Sequence, residues 1–156
     1  MRALRAVAVI VSMAVFGLLS SGVAAAAPDP TRGVPVARSA AGTPCATTAR
    51  ACIDLSANRA WLIRGGVVQY GPVPVAHGRK GYRTPAGTFR VSFKNVDHVS
   101  SIWNAPMPYS VFFNGGIAFH QGSLGSQSHG CVRLSRSAAK TFYNTLQRGD
   151  VVQVVP

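Results

Sequence analysis

After Cys52 the chain is a succession of short β-prone runs punctuated by turn residues. CIDLS (52–56), RAWLIR (59–64) and VVQYGPVPV (67–75) are joined by Ala57-Asn58 and Gly65-Gly66, which reads as a meander of hairpins. Further strands are predicted over Thr88–Lys94, Tyr109–Phe113, Ile117–His120 after the Asn114-Gly115-Gly116 turn, and Val151–Val155. About seven strands of this length predict a mainly β fold, a sandwich or barrel. One stretch has helical spacing instead. Ser135 is placed to cap it, Ala138, Ala139, Phe142, Tyr143 and Leu146 fall on one face, and Gly149 ends it. This single amphipathic helix near the C-terminus is expected to cover one sheet face.

The N-terminal region has no such rhythm. MRALR is followed by an apolar run from Ala6 to Leu19, broken only by Ser12 and Gly17, and then by small residues up to Pro28. The run is shorter than the roughly 18 residues a membrane anchor needs, so residues 1–26 read as a secretory signal peptide that leaves no anchor once removed. Arg2 and Arg5 are not adjacent, which favours the general secretion route over a twin-arginine one. Residues 27–44, rich in Pro, Ala, Ser and Gly, are expected to be a flexible linker, and 45–156 one folded domain. The expected destination is secreted and cell-wall associated.

Charge adds a partner class. Sixteen Lys and Arg face four Asp and no Glu, and removing Arg2 and Arg5 lowers the formal charge from +12 to +10. The basic residues are scattered singly from Arg32 to Arg148 rather than gathered beside stacking aromatics, which argues against nucleic acid and for anionic cell-wall polymers.

Cysteines occur at 45, 52 and 131, an odd number in a chain bound for an oxidising compartment. A bridge between Cys45 and Cys52 would staple the linker to the first strand, stabilising it by about 2–3 kcal/mol. Cys131 is left as the free thiol. It lies in Ser128-His129-Gly130-Cys131-Val132-Arg133, where a glycine permits a tight turn and successive backbone N–H groups can converge on one point, an oxyanion site. A thiol needs a base, and two histidines are near in sequence. His129 is two residues away, at a poor angle for proton transfer. His120 ends a predicted strand, a rigid platform, and is assigned as the base.

The stretch from His120 through Ser128-His129-Gly130-Cys131-Val132-Arg133-Leu134 resembles the signature of L,D-transpeptidase catalytic domains, the YkuD-like family, and Gly81–Phe89 (GYRTPAGTF) resembles its T-P-x-G-x-F segment. The resemblance spans roughly Ile53 to Val155. It implies a mainly β fold with the cysteine in a narrow cleft under a lid-like segment. One departure is the connection from His120 to Ser128, only residues 121–127, shorter than in many members, so a trimmed cleft rim is expected. In the family the second nitrogen of the histidine is held by a neighbouring carbonyl or hydroxyl, for which Gln121, Gly122 and Ser123 all qualify.

The resemblance further implies attack of the Cys131 thiolate on the amide carbonyl at the third residue of a peptidoglycan stem peptide, with loss of the terminal D-alanine. An amine of a second stem then takes the acyl group in a 3→3 cross-link. With water as acceptor the enzyme would be an L,D-carboxypeptidase, and without activity a wall-binding module of the same fold. His129, Gly130 and Cys131 would supply oxyanion N–H groups. Arg133 would bind a substrate carboxylate or pair with backbone carbonyls under the turn, and Tyr109 would line the cleft. No cofactor is expected, and no metal, because His77, His98, His120, His129 and Cys131 lack a compact ligand spacing. A cysteine endopeptidase of the cell-wall type would carry its cysteine before its histidine, the reverse of the order here.

Overall fold

A computed structural model of the protein describes residues 39–156; the expected signal peptide and most of the expected linker lie outside the described residues. The elements are β1 (Ala51–Asp54), β2 (Arg59–Arg64), β3 (Val67–Pro74), β4 (Gly87–Arg90), β5 (Phe93–Val99), β6 (Pro106–Asn114), β7 (Ile117–Gln121), β8 (Val132–Leu134), α1 (Arg136–Thr145) and β9 (Val151–Val155). They form two sheets, ordered β3-β2-β1-β9-β4 and β5-β6-β7-β8. Both sheets are mixed, since β1 pairs parallel with β9 and β7 parallel with β8.

Alternation along the strands builds the core. Ile53, Leu62, Val152 and Val154 from the first sheet meet Val111, Phe113, Phe119, Val132 and Leu134 from the second. Helix α1 closes this interior with Ala138, Ala139 and Phe142, and the Phe142 ring packs 5.0 Å from that of Phe119. Ser135 caps the helix by accepting the N–H of Ala138. No helix among the described residues is long and apolar enough to span a membrane.

The opposite residues of β1 and β2 are buried too. Cys52, Trp61 and Ile63 point outward into a second small core completed by Ala40, Cys45 and Ala49. That is why RAWLIR is buried through four consecutive positions rather than every other one. Residues 39–44, expected to belong to the linker, are part of this roof: Ala40 is 1% exposed, and its N–H donates to the Cys45 carbonyl at 2.8 Å. The folded unit therefore starts before Cys45. Cys45 and Cys52 are bridged, and Ala46 N–H donates to Gln153 Oε1 at 2.8 Å on the neighbouring strand.

The predicted strand Thr88–Lys94 is really two strands in different sheets. Val91 still bonds Asp150 and Gly149 just before β9 of the first sheet, whereas Ser92 N–H donates to Phe112 C=O of the second. At Val91-Ser92 the chain crosses between layers.

The bridge closes a short loop, so its loss acts mainly through the unfolded chain and through the outer core. The C45A/C52A double variant is expected to lose about 2–3 kcal/mol and, for a domain of this size, roughly 10–20 °C in Tm. Calorimetry checks this, and below the lowered Tm Cys131 should still be alkylated at the wild-type rate.

Candidate active site

In the parallel pairing of β7 with β8, Phe119 lies opposite Val132 and His120 opposite Arg133. Successive side chains alternate faces, so Phe119 and Val132 enter the core while His120, Cys131 and Arg133 share the outer face. All three line one cavity of about 570 Å³, together with Ser128 and His129.

The turn before β8 is closed by its own serine. Ser128 Oγ accepts the Gly130 N–H at 3.0 Å and donates to the Cys131 carbonyl at 2.5 Å. Gly130 has φ +118°, a conformation that side-chain-bearing residues avoid. Its N–H, expected in the oxyanion site, is thus taken by Ser128. The N–H groups of His129 and Cys131 carry no hydrogen bond among the described residues and are the donors left over.

A buried threonine fastens this turn to the loop before β4. Thr84, 3% exposed, accepts the Gly78 N–H at 3.0 Å and donates to the Gly130 carbonyl at 2.7 Å. The sequence reading recorded Thr84 only as a motif letter. What marked it was a hydroxyl, both donor and acceptor, just before a proline.

His120 is 6% exposed, and its Nδ1 lies 2.7 Å from the Gln121 carbonyl. A carbonyl only accepts, so Nδ1 carries the proton and Nε2 keeps its lone pair for use as a base. Of the three candidates for orienting His120, Gln121 provides the partner, through its backbone. Burial holds the imidazole below its usual range, helped by the Arg133 and His98 charges and opposed by the Gln121 bond. Burial pushes the Cys131 thiol up, against an Ala118 backbone hydrogen bond and the Arg133 charge, which favour the thiolate. Both shifts favour the neutral imidazole and the neutral thiol.

Arg133 Nη1 donates to the Ser126 carbonyl and hydroxyl, each at 3.2 Å, the backbone pairing expected in one of its two readings. Its stem crosses Gly122, where a Cβ would stand 2.7 Å from Arg133 Cδ. Arg133 lines the cavity and has no acidic partner among the described residues. His129 is exposed, and its Nε2 is occupied by Arg79 Nη2 at 2.8 Å. Arginine only donates, so this nitrogen accepts and cannot serve as the base.

Tyr109 is not at the cavity. Its backbone has φ +59°, and its ring packs on Tyr143 at 6.1 Å with the Arg136 guanidinium 5.7 Å away. It covers the helix, which corrects its assignment as a cleft residue.

The L,D-transpeptidase catalytic domain model matches residues 48–154, most of the folded unit. The chain belongs to that family. An L,D-transpeptidase from Stackebrandtia nassauensis is 32% identical over 68% of this chain and 54% of its own, with a TM-score of 0.65. One from Xylanimonas cellulosilytica is 25% identical over 72% and 63%, TM-score 0.64. An L,D-transpeptidase solved in complex with imipenem is 26% identical over 67% and 57%, TM-score 0.62. The chain thus spans little more than half the length of these solved relatives. No curated protein matches it.

Two outcomes test the site's physics. Thr84→Val should cost about 1–3 kcal/mol for each partner it leaves unsatisfied, whereas Thr84→Ser keeps both bonds and stays near wild type in urea unfolding. Because the Cys131 pKa is raised, its thiolate fraction near neutrality lies below that of an ordinary cysteine. Iodoacetamide should therefore alkylate the folded protein more slowly than the urea-unfolded one at neutral pH, and the gap should close as the pH climbs past the folded pKa.

Proposed function

We propose that this family member is a peptidoglycan L,D-transpeptidase that forms 3→3 cross-links through a Cys131 acyl-enzyme. The observation that carries this reading is the common face of β7 and β8, on which a histidine with a free Nε2, a thiol and an arginine line one cavity. His120 Nε2 takes the thiol proton as sulfur attacks the amide carbonyl. The oxyanion is received by the N–H groups of His129 and Cys131, each worth about 2.7–4 kcal/mol in comparable sites. His120 then protonates the leaving D-alanine amine. An incoming side-chain amine gives its proton to the same nitrogen as it attacks the thioester and frees the thiol.

Arg133 supplies the donor's carboxylate contact. It is the only lysine or arginine on the cavity wall, and no acidic side chain shares that wall. Acylation by a carbapenem is expected from the same geometry, in keeping with the imipenem complex of the relative. Residues 1–26 act as a removable signal, which places residues 45–156 outside the cytoplasm, where the positive charge holds the domain against anionic wall polymers.

The experiment is mass spectrometry after incubation with a tetrapeptide muropeptide. A product enlarged by one stem supports transfer, whereas loss of D-alanine alone identifies water as the acceptor and a carboxypeptidase. In parallel, His120→Ala should slow carbapenem acylation of Cys131 by about 10²- to 10⁴-fold, and His129→Ala by less. Cys131→Ser is the blank. A folded His129→Ala that is the slower of the two reverses the assignment.

A further inference from the structure

Part of the wall of the cavity that holds Cys131 is supplied by the turn between β5 and β6, residues 100–105, mainly through the apolar Ile102, Trp103 and Ala105. Ile102 is 81% exposed and Trp103 51%, unusual for side chains of this size unless they serve a binding surface. The turn's hydrogen bonds are internal: Ser100 N–H to Ala105 C=O at 2.9 Å and Trp103 N–H to Ser100 Oγ at 3.2 Å. Among the described residues it makes none to another segment. Its connections to the rest of the site are aromatic: Trp103 lies on His129 at 4.0 Å between centroids and 19° between planes, and meets the Tyr82 ring edge-on at 6.4 Å.

His129 is itself held from behind. Arg79 donates to its Nε2 at 2.8 Å, while the Arg79 backbone N–H bonds the Ser128 carbonyl at 3.0 Å. The Tyr82 ring stands edge-on to His129 at 4.9 Å and carries the Arg79 guanidinium on its face, also at 4.9 Å. Three segments distant in sequence thus meet in one cluster, and one side of that cluster is the cavity wall.

We propose that Trp103 is a specificity-determining residue of the Cys131 site, holding the 100–105 turn down as an apolar part of the cavity wall that Arg133 also lines, with Arg79 as the positioning residue that presents His129 to the stack. The proposal deepens the transpeptidase reading and names the chemistry of the donor. Its carboxylate lies toward Arg133 and its aliphatic part against Trp103. The His129 side chain acts as a post for the wall, while its backbone N–H serves the oxyanion.

The test uses the folded protein with two readouts. With a tetrapeptide donor, Trp103→Ala should raise KM by roughly 10-fold, the scale of a lost apolar pocket contact, with kcat nearly unchanged. Iodoacetamide, too small to need the wall, should alkylate Cys131 faster in the same variant because the mouth is open. Trp103→Phe should restore much of both. Arg79→Ala should shift both readouts in the same direction but less, and the Trp103→Ala/His129→Ala double variant should be no worse in KM than the poorer single one, since the two rings act through each other. The proposal is overturned if Trp103→Ala leaves KM unchanged, or if alkylation slows, which would make the turn a mere support of the cysteine. The alkylation comparison needs no turnover. A wild-type protein that processes no donor would therefore sink the transpeptidase reading while still deciding whether Trp103 closes the cavity.

Discussion

The parallel pairing of β7 with β8 is the constraint on which the site depends. In that register two short strands present His120, Cys131 and Arg133 on one face, while Phe119 and Val132 anchor the same strands in the core from the other. A slip of one residue would exchange the two sets, burying the thiol and exposing Phe119. The reactive geometry and the hydrophobic core are therefore specified by the same backbone bonds. The position of the Cys131 thiol is as secure as the packing of Phe119 against Phe113 and Phe142, each 5.0 Å away.

A second layer of control comes from hydroxyl groups used in both directions. Ser128 and Thr84 each accept one N–H and donate to one carbonyl, and between them they satisfy Gly130 on both sides and Cys131 at its carbonyl. No buried side-chain nitrogen or oxygen among the described residues lacks a partner, so the polar loops around the thiol are rigid without an unpaired group to relieve. With the turn fixed this way, the free donors are those of His129 and Cys131. Catalytic N–H groups are useful only when the rest of the turn has no competing claim on them.

How much of this was legible in the sequence depended on whether a local pattern carried the information. β1 to β3 and α1 stood out because their period and turn residues agree. β5, FKNVDHV, was missed because half of its residues are polar, as suits an edge strand paired only with β6. β8 has three residues, too few for any period, and its identity as a strand comes from its partners, β7 on one side and Ala76 on the other. His120 and Cys131 were singled out by residue type and order, and they line one cavity. The partner of His120 was left open among three neighbours, because a backbone carbonyl leaves no trace in the identity of a side chain. Tyr109 was misplaced for a related reason: a positive φ in mid-strand redirects its ring to Tyr143, and nothing in PMPYSVFFN announces that turn. Arg79 looked like one more scattered charge until folding brought it to His129, fifty positions away.

The two kinds of sulfur in this chain are kept apart. Cys45 and Cys52 lie in the outer core on the far side of the first sheet, while Cys131 packs with Met107, Phe112 and Ala118 on the outer side of the second. The main core stands between them. Thiol–disulfide exchange requires a thiolate to reach a bridge sulfur in line, and here that path runs through packed Phe119, Ile53 and Leu62. A free thiol thus coexists with a structural bridge in one small domain, with no internal route to scrambling short of unfolding. Its chemical partners are left to whatever enters the cavity from outside.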